Sequence, residues 1–370
     1  MSTLERAAAI RRDVLPWYPG WETSQVSPLG GGLINETYLL TTAAPEHEAG
    51  GIPARAVLQR LSPVFSPAIH ENIRAVSEHL AAAGVVTPRL LPTREGGTHV
   101  VLEPGGGSSP GAGVWRLQTF IDGVAFDVVE SASQAFAAAA CAARFHAALA
   151  DLSHVFVGLR QGVHDTPVHL ARLREAVRAE ANHRLQGLVA PLAEQILEGA
   201  ASLPSLPPTP ARIGHGDLKF NNILFAGREK TARDEAVCLI DLDTVGPVLL
   251  AHELGDAWRS WCNRAGEDAE DAALDLEVFA ASWEGYASVP AVGVTGDERR
   301  ALLLGVEWIS LELAARFLAD ALRESYFGWN SGRFATRGEH NLLRARGQWS
   351  LHKALVASRP ARARILGLPH

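Results

Sequence analysis

The sequence predicts an α+β chain of two lobes: a small mixed sheet with one main helix over residues 1–120, then a larger, mostly helical part over 121–370. Three observations predict it. Before residue 120 the apolar residues come in short runs broken by Gly and Pro, with a single stretch at helical spacing over 69–83. After Asp122-Gly123 they spread over long segments such as 131–152, which holds neither Gly nor Pro. A Pro-rich linker, 202–210, then leads to a short strand–loop–strand region at 213–245 before helical patterning resumes.

Taken in order, Val26-Ser27-Pro28-Leu29 is a strand candidate that runs into Gly30-Gly31-Gly32 and then the strand-like Thr37-Tyr38-Leu39-Leu40. A polar loop over 42–53 precedes a strand at 56–61. In the helix at 69–83, Ile73, Val76, Leu80 and Ala83 fall on one face. Strands at 99–102 and 115–120 flank a Gly/Ser/Pro loop at 104–113, and a hinge is expected at 119–123. Ser131 or Ser133 would cap the helix at 131–152. Thr166-Pro167 opens a helix to about residue 197, with a break near Gly187 or Pro191. Further helices are expected at 273–286, 297–322 and 339–356.

The chain has 370 residues, 47% apolar, enough for two lobes with a substantial core. With 34 basic and 41 acidic residues, a net charge of −7 argues against a general nucleic-acid or anionic-membrane binder. Cys141, Cys238 and Cys262 lie far apart with no metal-ligand spacing and are expected as buried free thiols in a reducing compartment. The first residues show no signal pattern and the most apolar run, 135–143, is too short to span a bilayer, so a soluble cytoplasmic protein is expected.

The chemistry is carried by His215-Gly216-Asp217-Leu218-Lys219-Phe220-Asn221-Asn222, followed by the apolar run Val237-Cys238-Leu239-Ile240 and Asp241-Leu242-Asp243. Transfer of a phosphoryl group from ATP asks little covalent work of a protein and a great deal of positioning and charge neutralisation. An acceptor hydroxyl needs a carboxylate to orient it and take its proton. The triphosphate travels with Mg²⁺, a hard cation that prefers carboxylate and amide oxygens. Asp217 is the candidate base, Lys219 the cation that offsets charge on the transferring group, and Asn222 and Asp241 the metal ligands. The pattern fits the H-R-D-L-x-x-x-N catalytic loop of kinases with Gly216 in place of Arg, so a protein-kinase-like fold is expected. An isolated Asp or Asn in such a turn would merely bond nearby backbone; the whole set at this spacing points to ATP, Mg²⁺ and a kinase. Gly216 cannot answer an activation-loop phosphate and no A-P-E-like segment follows Asp241, which favours a small-molecule acceptor over a protein.

On that reading Gly30, Gly31 and Gly32 would let backbone N–H groups approach phosphates. The strand where kinases carry a phosphate-binding Lys offers Gln59 and Arg60 instead, and alternation turns only one of them toward nucleotide; Arg60 is the favoured cation and Gln59 the alternative. Glu71 and Glu78, on the following helix, are expected on the surface. Thr119, Phe120 and Ile121 at the hinge would read adenine through backbone groups. Asp256 is expected to buttress the catalytic loop through backbone hydrogen bonds, and Asp243 to support the metal ligands. Arg316, in an apolar helix, needs a partner, with Glu312 one turn earlier the structural choice.

At these residues the chain resembles the aminoglycoside-phosphotransferase and choline-kinase-like superfamily, and within it the bacterial N-acetylhexosamine 1-kinases. The strings that carry the resemblance span most of the length. They include 31–38 (Gly-Gly-Leu-Ile-Asn-Glu-Thr-Tyr), Leu58-Gln59-Arg60, Trp115-Arg116 and His164-Asp165-Thr166-Pro167. They continue through 215–222, 240–245, Gly255-Asp256-Ala257, Leu311-Glu312, Arg316-Phe317, Tyr326-Phe327 and 339–342. The resemblance implies transfer to the C1 hydroxyl of N-acetylglucosamine or N-acetylgalactosamine. It implies Asp217 as base, Asn222 and Asp241 at the metal, Thr37 on the nucleotide side, and Asn35, Glu36, His164, Arg316 and Tyr326 on the sugar side. Leu33 stands where the family commonly carries a polar residue, and the strand Lys is absent; both bear on which sugar and how the phosphates are held.

Overall fold

Residues 3–30, 35–42, 53–103 and 111–369 are described by the structure, a computed structural model. Gly31 and Gly32, most of the expected loop at 42–53 and most of that at 104–113 lie outside the described residues. The fold is α+β, with a small sheet followed by a larger helical part, as the sequence predicts.

The chain divides into two units. The first comprises Met1–Asp122 with Asp151–Arg160 and Ile240–Val245. It holds α1 (Thr3–Asp13), β1 (Gln25–Pro28), β2 (Glu36–Thr41), β3 (Arg55–Arg60), α2 (Ile69–Ala82), β4 (Leu90–Leu91), β5 (Val100–Leu102) and β6 (Gly113–Thr119). The strands run in the order β1-β2-β3-β6-β4, with β5 also on β6. Every pairing among the described strands is antiparallel, where a mixed sheet was expected.

Register decides what each face carries. Thr37, Gln59 and Arg116 stand opposite one another across β2, β3 and β6, as do Glu36, Arg60 and Trp115. Because side chains alternate, the two rows point to opposite faces. Tyr38, Leu40, Leu58, Trp115 and Leu117 pack with Ile10, Val14, Leu15, Tyr18 and Trp21 in one core cluster. The helix α1 was not expected from sequence, because its buried face is little more than Ala7, Ala9 and Ile10.

The second unit comprises Gly123–Ala150, Gln161–Leu239 and Gly246–His370. It holds α3 (Ala132–Ala148), α4 (Thr166–Ala179), α5 (Gln186–Ser202), β7 (Ala211–Gly214), β8 (Ile223–Phe225), β9 (Ala236–Leu239), β10 (Gly246–Leu249), α6 (Leu250–Trp261), α7 (Leu276–Ala287), α8 (Gly296–Arg323) and α9 (Arg337–Ile365). Ser131 caps α3 by accepting from the N–H of Gln134, and Asp165 caps α4 by accepting from that of Val168. The break expected near Gly187 or Pro191 lies earlier, at 180–185, and Pro191 sits inside α5, whose buried Val189, Leu192, Ala193 and Ile196 outweigh one missing hydrogen bond. Likewise α9 continues through Pro360, anchored by Arg362, which donates to Glu307 and to the carbonyls of Leu303 and Leu355.

Leu170, Leu173, Val189, Ile196, Leu311, Phe317, Leu318 and Leu342 form the core that joins α4, α5, α8 and α9. Against α8 the helix α6 packs almost backbone to backbone: a Cβ on Gly305 would lie 2.2 Å from the Ala251 carbonyl oxygen. That close approach fixes the helix that carries Glu253. The cysteines are all buried and free, and burial pushes the Cys238 thiol up to about 12. Among the described residues no helix is long and apolar enough to cross a membrane.

Candidate active site

The loop 215–222 leaves the end of β7, which is paired to β10 in antiparallel register. Gly216 turns the chain with φ +78, a left-handed conformation that disfavours any side chain. Glu253, buried on α6, holds that turn: its carboxylate accepts from the backbone N–H of His215 at 2.7 Å and of Gly216 at 2.9 Å. His146 of α3 lies 3.0 Å from the same carboxylate through Nε2, and its Nδ1 lies 2.8 Å from the Tyr286 hydroxyl. Burial works against a charged Glu253, but the bond and charge of His146 with the backbone donors outweigh it and hold its pKa below the ordinary glutamate value. Further along, Trp261 Nε1 donates to the Leu218 carbonyl at 2.8 Å, and Phe220 is buried between Trp261 and Phe225.

So anchored, the loop presents its polar side chains together. Lys219 Nζ lies 3.0 Å and 3.1 Å from the two carboxylate oxygens of Asp217. Asn222 Nδ2 donates to the Asp217 carbonyl at 2.8 Å, so the amide nitrogen is engaged within the loop and its oxygen is the donor left for a cation. Burial disfavours the Lys219 ammonium, yet the charges of Asp217 and Asp256 more than offset it and keep its pKa above the ordinary value.

Asp256 does not buttress the loop through backbone bonds as expected; Glu253, three residues earlier on α6, takes that role. Asp256 instead pairs with Arg259 at 2.9 Å and contributes charge beside Lys219. The signal for Glu253 was present in the sequence: it falls on the apolar face of α6 with Leu250, Leu254, Ala257 and Trp261, where an unpartnered acid would be costly.

Of the residues expected on the acceptor side, the structure gathers His164, Arg316 and Tyr326 in this second unit. Glu312, buried on α8, accepts from Thr166 Oγ1 at 2.7 Å and lies 3.4 Å from His164 Nδ1. Burial pushes the Glu312 pKa up, and the His164 and Thr166 bonds more than reverse it. Arg316 Nη1 is 3.8 Å from Glu312, a loose pair, and its guanidinium sits 5.6 Å from the Phe327 ring centroid. Asp320 accepts from the N–H groups of Ser325, Tyr326 and Phe327 at 2.9–3.0 Å, which fixes the turn bearing the half-exposed Tyr326. The His252 ring lies 4.9 Å from that of His164, tilted by 50°, and was not singled out from sequence; burial, then the charge of His164, lowers its pKa to about 4.

Asn35 and Glu36 belong to the first unit and part company there. Asn35 is buried and donates to Asp243 at 2.7 Å, whereas Glu36 pairs with Arg6 and with Arg60, the latter at 2.7 Å. Arg60 therefore stands in the Glu36 row, opposite to the face of Gln59, which accepts from Arg116 Nε at 2.9 Å and donates to Thr37 Oγ1 at 3.2 Å. Arg60, the favoured phosphate cation, is thus paired with Glu36, and Gln59, the alternative, lies on the face that carries Arg116. Glu71 and Glu78 are exposed, Glu71 in a surface pair with Arg74. Gly30 has φ +71, a left-handed conformation that glycine favours. The backbone N–H of Thr119 donates to the Arg89 carbonyl at 2.9 Å, and Phe120 and Ile121 follow the end of β6. Asp241 closes the segment after β9 in a left-handed conformation, φ +63, ahead of the short turn Leu242–Thr244.

A small antiparallel sheet, a helical unit and a His-Gly-Asp-x-x-x-x-Asn loop define a phosphotransferase of the protein-kinase-like class. The sequence matches the APH phosphotransferase enzyme family over residues 25–289, and the chain belongs to that family, whose reaction places phosphate on an alcohol. Solved structures agree on the fold. A microcompartment-associated aminopropanol kinase is 16% identical, with TM-score 0.61 over 95% of this chain and 98% of that one. An amicoumacin kinase in complex with AMP-PNP and Ca²⁺ is 12% identical, with TM-score 0.56 over 92% and 96%. A choline kinase from Cryptosporidium parvum is 12% identical, with TM-score 0.55 over 96% and 97%.

Proposed function

We propose that this phosphotransferase uses ATP to phosphorylate a neutral sugar, at the anomeric hydroxyl of N-acetylglucosamine, N-acetylgalactosamine or a related hexose. One observation carries the choice of acceptor class: in the second unit Asp217, Asp256 and Glu312 each lie beside a basic side chain, and Glu253 is taken up by backbone N–H groups and His146. Asp217 faces Lys219, Asp256 faces Arg259, and Glu312 faces His164 and Arg316. An ammonium-bearing acceptor needs a surplus of carboxylate to replace its lost hydration, and this cluster has none. A polyol needs donors and acceptors in balance, which His164, Arg316 and Tyr326 supply. Aminopropanol and choline, the acceptors in the names of two structural neighbours, make amines the rival class.

In the reaction the acceptor hydroxyl donates a hydrogen bond to Asp217, and its oxygen attacks the γ-phosphorus as the proton passes to that carboxylate. The bond from the γ-phosphorus to the β–γ bridging oxygen breaks, and ADP leaves with the electron pair. Lys219 offsets charge on the transferring oxygens. A divalent ion fits the donor chemistry, since Asn222 presents an amide oxygen and Asp241 a carboxylate, both hard ligands; when bound, it would neutralise phosphate charge. Glu253 keeps the loop in shape throughout.

The test is ATP consumption over a panel of hexoses, N-acetylhexosamines, amino alcohols and aminoglycosides. Phosphorylation of amines alone would overturn the sugar assignment. Asp217→Asn should lower kcat by about 10²–10⁴-fold with little change in nucleotide affinity, and retained turnover would remove Asp217 from its role. Chelation of divalent ions should abolish turnover and readdition should restore it.

A further inference from the structure

Within the first unit the sheet face that bears Gln59 carries one fully buried cation, Arg116 of β6. Its Nη1 lies 2.5 Å from Asp243 Oδ1, with both side chains almost completely buried. Its Nε and Nη2 donate to Gln59 Oε1 at 2.9 and 2.7 Å, and Gln118 donates to the same oxygen. The other oxygen of Asp243 accepts from Asn35 Nδ2 at 2.7 Å, and Asn35 Oδ1 in turn accepts from the Ser62 backbone N–H at 2.9 Å. Strands β3 and β6, the residue just before β2 and the loop after β3 thus converge on a carboxylate two residues beyond Asp241.

Buried ion pairs carry a large desolvation cost, so this one is poor material for stability alone. What it does do is fix the turn Leu242–Thr244, whose first residue boundary is Asp241 at φ +63 and ψ +63. A non-glycine residue keeps a left-handed conformation only where its surroundings enforce it. We propose that Arg116, through Asp243, is a positioning residue for the metal-ligating carboxylate of Asp241, and that this sheet cation serves the metal segment and not the nucleotide phosphates. Its guanidinium is committed to Asp243 and Gln59, whereas a phosphate-binding cation must offer donors to an incoming ligand. Asn35 belongs to the same clamp. The inference rests on the kinase reading of Asp241.

The experiment measures Mn²⁺ affinity by electron paramagnetic resonance in the presence of ADP, alongside ADP affinity by calorimetry in chelator. The variants are Asp243→Asn, Arg116→Met, and the double variant Arg116→Gln/Asp243→Asn, which removes both buried charges together so that neither is stranded. In the double variant Mn²⁺ affinity should fall at least tenfold, while metal-free ADP affinity stays within twofold of wild type. Folding of each variant is checked by its cooperative unfolding transition. If ADP affinity in chelator falls as much as Mn²⁺ affinity, Arg116 acts on phosphates and the proposal is overturned. It is equally overturned if Mn²⁺ affinity is unchanged in a folded variant that has only lost thermal stability. A wild-type protein that binds neither Mn²⁺ nor ADP would overturn the kinase reading as well, and so separates the two failures.

Discussion

Gly216 shows how a residue read in the sequence for its chemistry carries a geometric role that only the structure displays. In the sequence it marks the absence of the Arg that phosphorylation-regulated kinases use; in the structure it is also the left-handed pivot that turns two N–H groups onto Glu253. An L side chain at φ +78 meets its own backbone, which costs roughly 1–2 kcal/mol. Gly216→Ala should therefore lose about 1–2 kcal/mol in urea unfolding and also lower kcat, because relaxing φ pulls the N–H away from Glu253. Unchanged stability together with unchanged kcat would show that the turn tolerates a side chain. Arg116 is the converse case. The sequence holds it in a recognisable Trp-Arg string, but only strand register shows that it faces Gln59 and Asp243 while Arg60 faces Glu36.

Among the elements, α6 is the one whose function depends most on distant parts of the chain. It packs against α8 at Gly305, reaches the loop through Glu253, and supports Leu218 through Trp261. Glu253→Gln keeps the shape but offers a single acceptor oxygen where two N–H groups and His146 converge, so a buried donor is left without an acceptor. The expected result is a fall in kcat of about 10-fold or more with nucleotide KM nearly unchanged, read by steady-state kinetics. A rise in KM with kcat intact would place Glu253 in binding instead. What was legible in the sequence divides along the same line. The loop 215–222 and Asp241 were legible because their spacing is local, and β1 to β3, α2 and β6 because their apolar periods are strong. The helix α1, the two-residue strand β4 and the continuation of α9 past Pro360 were not, since weak amphipathicity, short length and a local breaker were each overruled by tertiary packing. Glu253, His146 and His252 were missed because their partners lie far along the chain.

At the scale of the whole molecule, both units bury imidazoles in a neutral state, and this sets how stability responds to acid. In the first unit His70 lies fully buried on α2, stacked 4.3 Å from His99; burial, then the charge of Arg116, lowers its pKa to about 4. In the second unit His252 is lowered to about 4 as well. An unfolded histidine takes up its proton near pH 6.5, whereas these two refuse theirs until about pH 4. Between those values the unfolded chain binds more protons than the folded one, so stability is greatest above pH 6.5 and falls as pH drops toward 4. Each residue should remove about 1 kcal/mol by pH 5.5, and His99, His169, His340 and His352, whose pKa values are also lowered chiefly by burial, add to the slope. Glu253, Asp256 and Glu312 are depressed carboxylates, whose contribution is lost only below the ordinary carboxylate range, so the window from pH 6.5 to 5 reports histidines alone. His70→Asn retains a donor for the Pro67 carbonyl, now 2.7 Å from His70 Nδ1, without an ionisable ring. Urea unfolding at pH 7.5, 6.5 and 5.5 should give a shallower loss of stability in His70→Asn/His252→Asn than in wild type. Parallel pH dependence in the two proteins would mean that these imidazoles are charged in the folded state, and that the acid sensitivity arises elsewhere.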